Sequence, residues 1–189
     1  MHGVSSGAPF AIRPARPDDA PALAALMEGI YAEHRWFVGD VGPTAGELRR
    51  KLRALDATRL WFGVAVAPPG ADDEALLGWL EARRYALPRL AHVASLTLAV
   101  APAARRRGVG RALLRAVEPW ARRVGVAKLR LDVRASNAAA LALYAAEGYA
   151  EEGRERRQIR DADGEDDNVI LAKFLASGGG AGGSESARS

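Results

Sequence analysis

The fold is decided by residues 96–111, LTLAVAPAARRRGVGR. The apolar run at its start predicts a strand that ends at Val100, because Pro102 has no amide hydrogen to donate to a sheet. Gly108 and Gly110 predict a sharp turn that opens into a helix, since residues without a Cβ atom allow the backbone to bend. A strand, a glycine turn and a helix in this order are typical of a layered domain of helices on a sheet.

The same turn predicts an anion-binding site. The first amides of a helix have no partner within the helix, and the helix dipole adds partial positive charge there. The flanking arginines, Arg105, Arg106, Arg107 and Arg111, add full charges. We interpret this turn as a pyrophosphate cradle. Its spacing, R-x-x-G-x-G, differs from both the P-loop pattern GxxxxGK[ST] and the dinucleotide pattern GxGxxG.

The charge distribution supports an anionic partner. The net charge is only +4, but residues 105–134 hold ten basic and two acidic side chains, whereas residues 1–94 are neutral and 135–189 are net acidic. Such a block fits nucleic acid, a membrane surface or a phosphorylated cofactor. No nucleic-acid recognition motif accompanies the arginines, so a nucleic-acid-binding module is the weaker alternative.

Composition excludes several kinds of chemistry. The chain has no cysteine and three histidines, which argues against disulfides, thiolate catalysis and a zinc site, and we expect no metal. Its apolar stretches are far shorter than the ~20 residues that span a bilayer, and its first residues do not resemble a signal peptide. We therefore expect a cytoplasmic protein with neither nucleic acid nor a membrane as its partner.

The sequence indicates one α/β (α+β) domain at residues 10–175, a disordered leader at 1–9 and a flexible glycine- and serine-rich tail at 176–189. The predicted order of elements is β-α-α-β-β-β-α-β-α-β-β. The predicted strands are Phe10–Arg13, Arg59–Ala67, Ala75–Tyr85, Ala91–Val100, Lys128–Val133, Tyr149–Arg160 and Asn168–Leu175. The predicted helices begin near Asp18, begin after Thr44, and occupy Gly108–Val124 and Asn137–Glu147.

Local signals mark the ends of these elements. Asp18 is a candidate cap of the first helix, and Thr44 with Glu47 forms a capping-box pattern before the second. PPGADD at residues 68–73 and DADGEDD at 161–167 predict turns between strands.

A second motif lies at residues 137–149, NAAALALYAAEGY. Asn137, Ala140, Tyr144 and Gly148 fall three or four residues apart, so they share one side of a helix. A small residue at Ala140 leaves room for a close neighbour. The alternative is an ordinary capped helix, with Asn137 at its start and Gly148 at its end.

Together the two motifs resemble the GCN5-related N-acetyltransferase (GNAT) superfamily. RRRGVG matches the family's Q/R-x-x-G-x-G/A motif, NAAALALYAAEGY matches its N-x-x-A-x-x-L-Y-x-x-x-G-F/Y motif, and FAIRPARPDDAPAL is similar to its usual opening. The resemblance covers about residues 10–175 and is closest to bacterial enzymes that acetylate amino acids or small amines. It implies a mixed central sheet of about six to seven strands with about four helices, and a V-shaped splay between strands four and five.

The resemblance also implies a cosubstrate, acetyl-CoA, and a role for each matched residue. The cradle would hold the pyrophosphate, the fourth strand would run beside the pantetheine arm, and Asn137 would contact that arm or adjacent backbone. Tyr144 would be the general acid that protonates the leaving thiolate. The expected cosubstrate-binding residues are Leu98, Ala99, Val100, Arg105, Arg106, Arg107, Gly108, Val109, Gly110, Arg111, Asn137, Ala140 and Tyr144.

The sequence offers two candidates for the general base that deprotonates the amine. The fourth strand, HVASLTLAV, contains no acid, which leaves Glu81 and His92 as candidates for the general base. The alternatives are that each of them has a surface or structural role and that a water molecule acts as the base. An amine of pKa ~10.4 is neutral about once in 2,500 molecules at pH 7, against about once in six to eleven for an α-amine. A site without a strong base therefore favours α-amines.

The expected reaction is direct acetyl transfer, in a ternary complex, to the primary amine of a small molecule. Alternatives are a protein acetyltransferase acting on an N-terminus or a lysine, and an acyl-CoA sensor without turnover. Three aromatic residues could line the acceptor site or belong to the core: Tyr31, Trp36 and Phe37. The acidic turn at 161–167 could attract a cationic acceptor or be a solvated hairpin tip. The resemblance allows a homodimer, which no sequence feature specifies.

Overall fold

The computed structural model describes residues 10–68 and 75–176. The predicted leader, nearly all of the predicted turn at 68–73 and nearly all of the predicted tail lie outside the described residues.

Eleven helices and strands follow one another in the predicted order. They are β1 (Ala11–Pro14), α1 (Ala20–Tyr31), α2 (Ala45–Arg53), β2 (Leu60–Val66), β3 (Leu76–Arg84), β4 (Val93–Val100), α3 (Val109–Arg123), β5 (Lys128–Arg134), α4 (Ala138–Ala146), β6 (Ala150–Asp161) and β7 (Gly164–Phe174). The seven strands form one mixed sheet with four helices, which confirms the predicted fold class.

The sheet has the strand order β1-β2-β3-β4-β5-β7-β6, and only the central β4–β5 pair is parallel. Parallel neighbours require a crossover connection, which α3 provides. The β4–β5 pairing joins Val93–Ser95 to Lys128–Arg130 and then stops, although β4 continues to Val100 and β5 to Arg134. The predicted splay between strands four and five is therefore confirmed, and a slot opens between their C-terminal halves.

A hydrophobic core lies on each face of the sheet, because strand side chains point alternately to the two faces. On one face the apolar side of α3 packs on Leu80, Leu96, Leu129 and Leu131. On the other face α1 and α2 cover Phe62, Val64 and Trp79. The two cores hold the strands on either side of the slot in place.

The helix starts agree with the sequence signals in one case out of two. At α2 the Thr44 amide donates to Glu47 Oε2 (2.8 Å) and the Glu47 amide donates to Thr44 Oγ1 (3.3 Å), which confirms the capping box. The Asp18 cap is wrong, because a 3-10 turn at Pro17–Asp19 precedes α1. There the Asp19 carboxylate accepts the Arg16 amide at 2.6 Å instead.

The predicted turn between the last two strands lies within residues 161–167 but is shorter than predicted. Strand β6 runs to Asp161 and β7 begins at Gly164, whose φ of 129° permits a tight reversal. The acidic residues belong to the strands because cations compensate them: Asp161 and Asp166 both bind Arg134. A run of acids that looks like a solvated turn is thus held in a β-ladder by a buried arginine.

A buried carboxylate joins the two helices that flank the slot. Glu147 follows α4, and its side chain, only 4% exposed, pairs with Arg111 (3.0 Å) and Arg115 (2.9 Å) on α3. The hydrogen bond from Arg115 is the main cause that lowers the pKa of Glu147 below its ordinary value of 4.5. This pairing fixes α4 against α3.

We predict that Glu147→Gln lowers the free energy of unfolding by about 1–2 kcal/mol at pH 7, because both arginines lose a charged partner. Because folding depresses the pKa of Glu147, the contribution is present above pH 4.5 and is lost as the pH falls further. Urea unfolding at several pH values measures both effects. Glu151→Gln, which breaks an exposed pair with Arg154, is the control and should change stability by less than about 0.5 kcal/mol. Equal losses for the two variants would contradict the prediction.

Candidate functional site

A cavity of about 1080 Å³ passes through the slot between β4 and β5. Its walls come from the free half of β4, the end of β5, the start of α3, the inner side of α4 and the segment that follows α1. Both faces of the sheet therefore contribute to a single cavity. Two ligands that approach from opposite faces can meet within it.

The glycine turn has the backbone geometry of an anion site. Gly108 precedes α3 with a φ of 84°, a left-handed conformation that glycine adopts without strain, and the first amides of the helix have no partner within it. A Cβ atom at Gly110 would lie 3.0 Å from Leu143 Cδ2, so a larger residue there would press on the Leu143 side chain of α4. The turn thus combines free amides with room for a ligand.

The arginine block is mostly neutralised within the fold. Seven of the ten basic residues in 105–134 form ion pairs, namely Arg105, Arg111, Arg115, Arg122, Lys128, Arg130 and Arg134. In the described part of the chain Arg106, Arg107 and Arg123 have no such partner. Two of these three lie in the glycine turn, which suits a compact phosphate ligand better than a long nucleic-acid backbone.

Arg105 has a different environment from its neighbours. Its guanidinium forms two hydrogen bonds with Glu33, one of them 2.9 Å long, and its Nε donates to the Val100 carbonyl at 3.1 Å. The side chain therefore joins the end of β4 to the segment after α1. Its positive charge is already compensated before any anion binds.

Helix α4 presents the residues of the second motif to the cavity. Asn137 Oδ1 accepts the Ala140 amide at 3.1 Å, so Asn137 caps the helix, and Ala140 and Tyr144 line the cavity. Burial raises the pKa of the Tyr144 phenol, which keeps its proton at neutral pH. Its ring packs edge-on against Tyr149 at 5.7 Å. Among the described residues no hydrogen-bond partner holds the Tyr144 hydroxyl.

Most of the predicted cosubstrate residues line the cavity: Leu98, Ala99, Val100, Arg105, Arg106, Gly108, Val109, Gly110, Arg111, Asn137, Ala140 and Tyr144. Arg107 lies outside the lining, as do both candidate bases. Glu81 binds Lys51 and Arg83 under α2. His92 lies at the opposite end of β4, where its carbonyl accepts the amides of Ala127 and Lys128.

Sequence reasoning missed Asp132 on β5. Within residues 10–68 and 75–176 it is the only carboxylate that lines the cavity. It accepts hydrogen bonds from Arg130 (2.8 Å) and from Asn168 Nδ2 (3.3 Å). The alternation in KLRLDVR turns Asp132 away from the core on which Leu131 packs, and the same pattern could have drawn attention to it.

Aromatic side chains of the segment after α1 form part of the cavity wall. Trp36 and Phe37 line the cavity, whereas Tyr31 does not. Phe37 also stacks on Tyr31 at 4.8 Å and on Trp79 at 6.3 Å. Phe37 is therefore both a wall residue and a core residue.

Two other kinds of site receive no support from the described residues. None of the helices described there is long and apolar enough to cross a membrane. No group of three or more acidic or histidine side chains in the same residues is arranged to hold a metal ion.

Comparison with known proteins gives relatives with two kinds of acceptor. The "[Ribosomal protein bS18]-alanine N-acetyltransferase" of Escherichia coli is 45% identical over 75 residues, which are 40% of this chain and 51% of that protein. The chain thus spans about half the length of that relative. The aminoglycoside N(6')-acetyltransferase type 1 of Klebsiella aerogenes is 40% identical over 148 residues, 74% of this chain and 89% of that protein.

Solved structures share the whole architecture. A GCN5-related N-acetyltransferase from Kribbella flavida has a TM-score of 0.76 and 26% identity, covering 88% of this chain and 98% of its own. The fold of yncA from Salmonella typhimurium, solved with its cofactor acetyl-CoA, has a TM-score of 0.78 at 16% identity, covering 92% and 98%. The family model described as the acetyltransferase (GNAT) family matches residues 27–149. The match covers more than half of the chain, and the protein belongs to the acetyltransferase (GNAT) family.

Proposed function

We propose that this protein is an acetyl-CoA-dependent N-acetyltransferase that acts on a primary amine. The observation that carries the proposal is the continuous cavity through the β4–β5 slot, with a phosphate cradle at one end and a carboxylate at the other. One end suits the cosubstrate and the other a cationic acceptor.

The cosubstrate half fits the parts of acetyl-CoA. The amides at the start of α3, with Arg106 and Arg107 beside them, suit the pyrophosphate. Beyond Ser95 the edge of β4 that faces the slot has no strand partner, whereas its other edge pairs with β3. The main-chain groups on the slot edge can therefore pair with the amides of the pantetheine arm. Acetyl-CoA, when bound, supplies the thioester that an amine attacks.

Residues on opposite sides of the slot accept a proton from the amine and donate a proton to the leaving sulfur. A new bond joins the amine nitrogen to the acetyl carbon, and the bond from that carbon to sulfur breaks. Asp132 attracts the ammonium form of the acceptor and accepts its proton, directly or through a water. Tyr144 is protonated at Oη at neutral pH, as a phenol of ordinary pKa ~10 already is, and it donates that proton to the leaving sulfur. No residue of the chain forms a covalent intermediate in this scheme.

We propose a small molecule as the acceptor, with an aminoglycoside or an amino acid as the chemical class. The support is the relative named for aminoglycosides, which aligns over 74% of this chain. A protein N-terminus is the second candidate, supported by the relative named for the alanine of bS18. Both acceptors present a primary amine, and Asp132 can pair with either.

The first of three predictions about function concerns binding and acceptor class. Acetyl-CoA at about 100 times its dissociation constant should stabilise the protein by ~2.7 kcal/mol, while a DNA duplex at the same phosphate concentration should not. Calorimetric melting measures this shift. Free-thiol release with kanamycin, alanine and an alanine-initiated peptide then ranks the acceptors. Stabilisation by DNA alone, or acetyl-CoA binding without thiol release in any arm, would contradict an acetyltransferase function.

The second prediction concerns the general acid. Tyr144→Phe should lower kcat about 100-fold, because the leaving sulfur loses its proton donor, and should change the acetyl-CoA dissociation constant less than about twofold. Tyr149→Phe is the matched control, since its ring touches Tyr144 and its buried hydroxyl has no partner. If both variants retain full turnover, the proton donor is not Tyr144.

The third prediction concerns Asp132. Asp132→Asn should reduce kcat/KM for the amine by about 10- to 100-fold and leave acetyl-CoA binding intact, because the amide cannot accept the ammonium proton. Steady-state kinetics with titration calorimetry separate the two constants. If Glu81→Gln or His92→Gln causes the loss instead, the proton acceptor lies elsewhere and Asp132 is only a wall residue.

A further inference from the structure

The segment after α1 is attached to both sides of the slot. Glu33 forms an ion pair with Arg105, which lies in the turn after β4. Two residues further along the chain, the Arg35 carbonyl accepts a 2.7 Å hydrogen bond from Nη1 of Arg134, the last residue of β5. We call residues 33–38 the strap.

Both attachment points are firmly held. Arg134 is 8% exposed and also binds Asp161 and Asp166 of the β6–β7 hairpin. Arg105 is hydrogen-bonded to the Val100 carbonyl at the end of β4. The strap therefore connects the turn after β4 to the end of β5 on this face, through attachment points only two residues apart in the chain.

The strap is also a wall of the acceptor half. Trp36, Phe37 and Val38 line the cavity, and Phe37 is stacked on the core. Glu33 therefore connects this wall to the turn that carries the phosphate cradle.

We propose that Arg105 is a positioning residue, which through Glu33 holds the strap against the cradle so that an occupied cradle orders the acceptor wall. This inference rests on the proposed function, since it requires acetyl-CoA or CoA to bind the cradle. It differs from a role for Arg105 as a simple phosphate ligand, because Glu33 already compensates the Arg105 charge.

Loss of the Glu33 carboxylate should act in opposite directions on the two substrates. Arg105 becomes free to bind phosphate, so the dissociation constant of acetyl-CoA should stay within about twofold or fall. The strap loses its attachment to the cradle, so KM for the acceptor should rise about two- to fivefold, as expected for a partly exposed ion pair. General destabilisation would weaken both.

Hydrogen exchange tests the coupling without an acceptor. The amides of Ala32, Glu33 and His34 donate to Glu28, Ile30 and Tyr31 carbonyls in the last turn of α1. Saturating CoA should slow their exchange about tenfold or more in the wild type and much less in Glu33→Gln. Glu28→Gln, an exposed residue of the same helix without an ion pair among the described residues, should behave as the wild type.

Each outcome has a separate meaning. Equal slowing in Glu33→Gln and in the wild type, or an unchanged acceptor KM, would overturn the inference while leaving the proposed function intact. An absence of CoA binding in the wild type would overturn the proposed function itself. Glu33→Asp, which keeps the charge but shortens the side chain, replaces Glu33→Gln if that variant does not fold, with the same expected directions.

Discussion

Parallel pairing between β4 and β5 lasts for three residue pairs and then ends, and the rest of the site depends on that limit. In a regular parallel sheet the main-chain groups of both strands would be satisfied by each other. Here the free half of β4 faces a gap, and α3 and α4 both begin at the open end, after β4 and β5. Two helix N-termini and one unpaired strand thus converge on the same space.

Ion pairs decide where positive charge is available at that gap. Arginine residues of α3, of β5 and of the turn after β4 are matched with carboxylates from the end of α4, the β6–β7 hairpin and the segment after α1. These pairs connect elements far apart in the sequence and contribute modestly each. Among the described residues their collective effect is to leave Arg106 and Arg107 without an ion pair, so the uncompensated charge of a basic block of sequence is concentrated at the glycine turn.

Local signals in the sequence were sufficient for most of the fold. Apart from the start of β7, the predicted strand ends and the bounds of α3 and α4 fall within two residues of those observed, because capping, proline and alternation act over a few residues. The residues that line the cavity near Gly108 and Gly110 were predicted from short sequence motifs, which are local signals as well. The start of β7 was predicted too late because the cation that compensates Asp161 and Asp166 comes from β5.

The acceptor half was hard to predict for the same reason. Glu81 is drawn into an ion pair with Lys51 from α2, and Asp132 reaches the cavity only because the strands splay beside it. The partner of Arg105 lies 72 positions earlier in the chain. Such arrangements depend on tertiary contacts, which neither motif spacing nor periodicity encodes.

The free half of β4 is also an edge strand in the middle of a sheet. Exposed strand edges ordinarily invite pairing with foreign strands and hence aggregation, and proteins protect them with charges, bulges or covering segments. In this fold β5 pairs with the first half of β4, where the two strands are close. The strap is attached through Glu33 and Arg35 to the residues at the separated strand ends. A foreign strand needs about 4.8 Å of clearance along its whole length, which a converging slot does not offer. The convergence of the two strands thereby disfavours self-association of the protein through its own backbone.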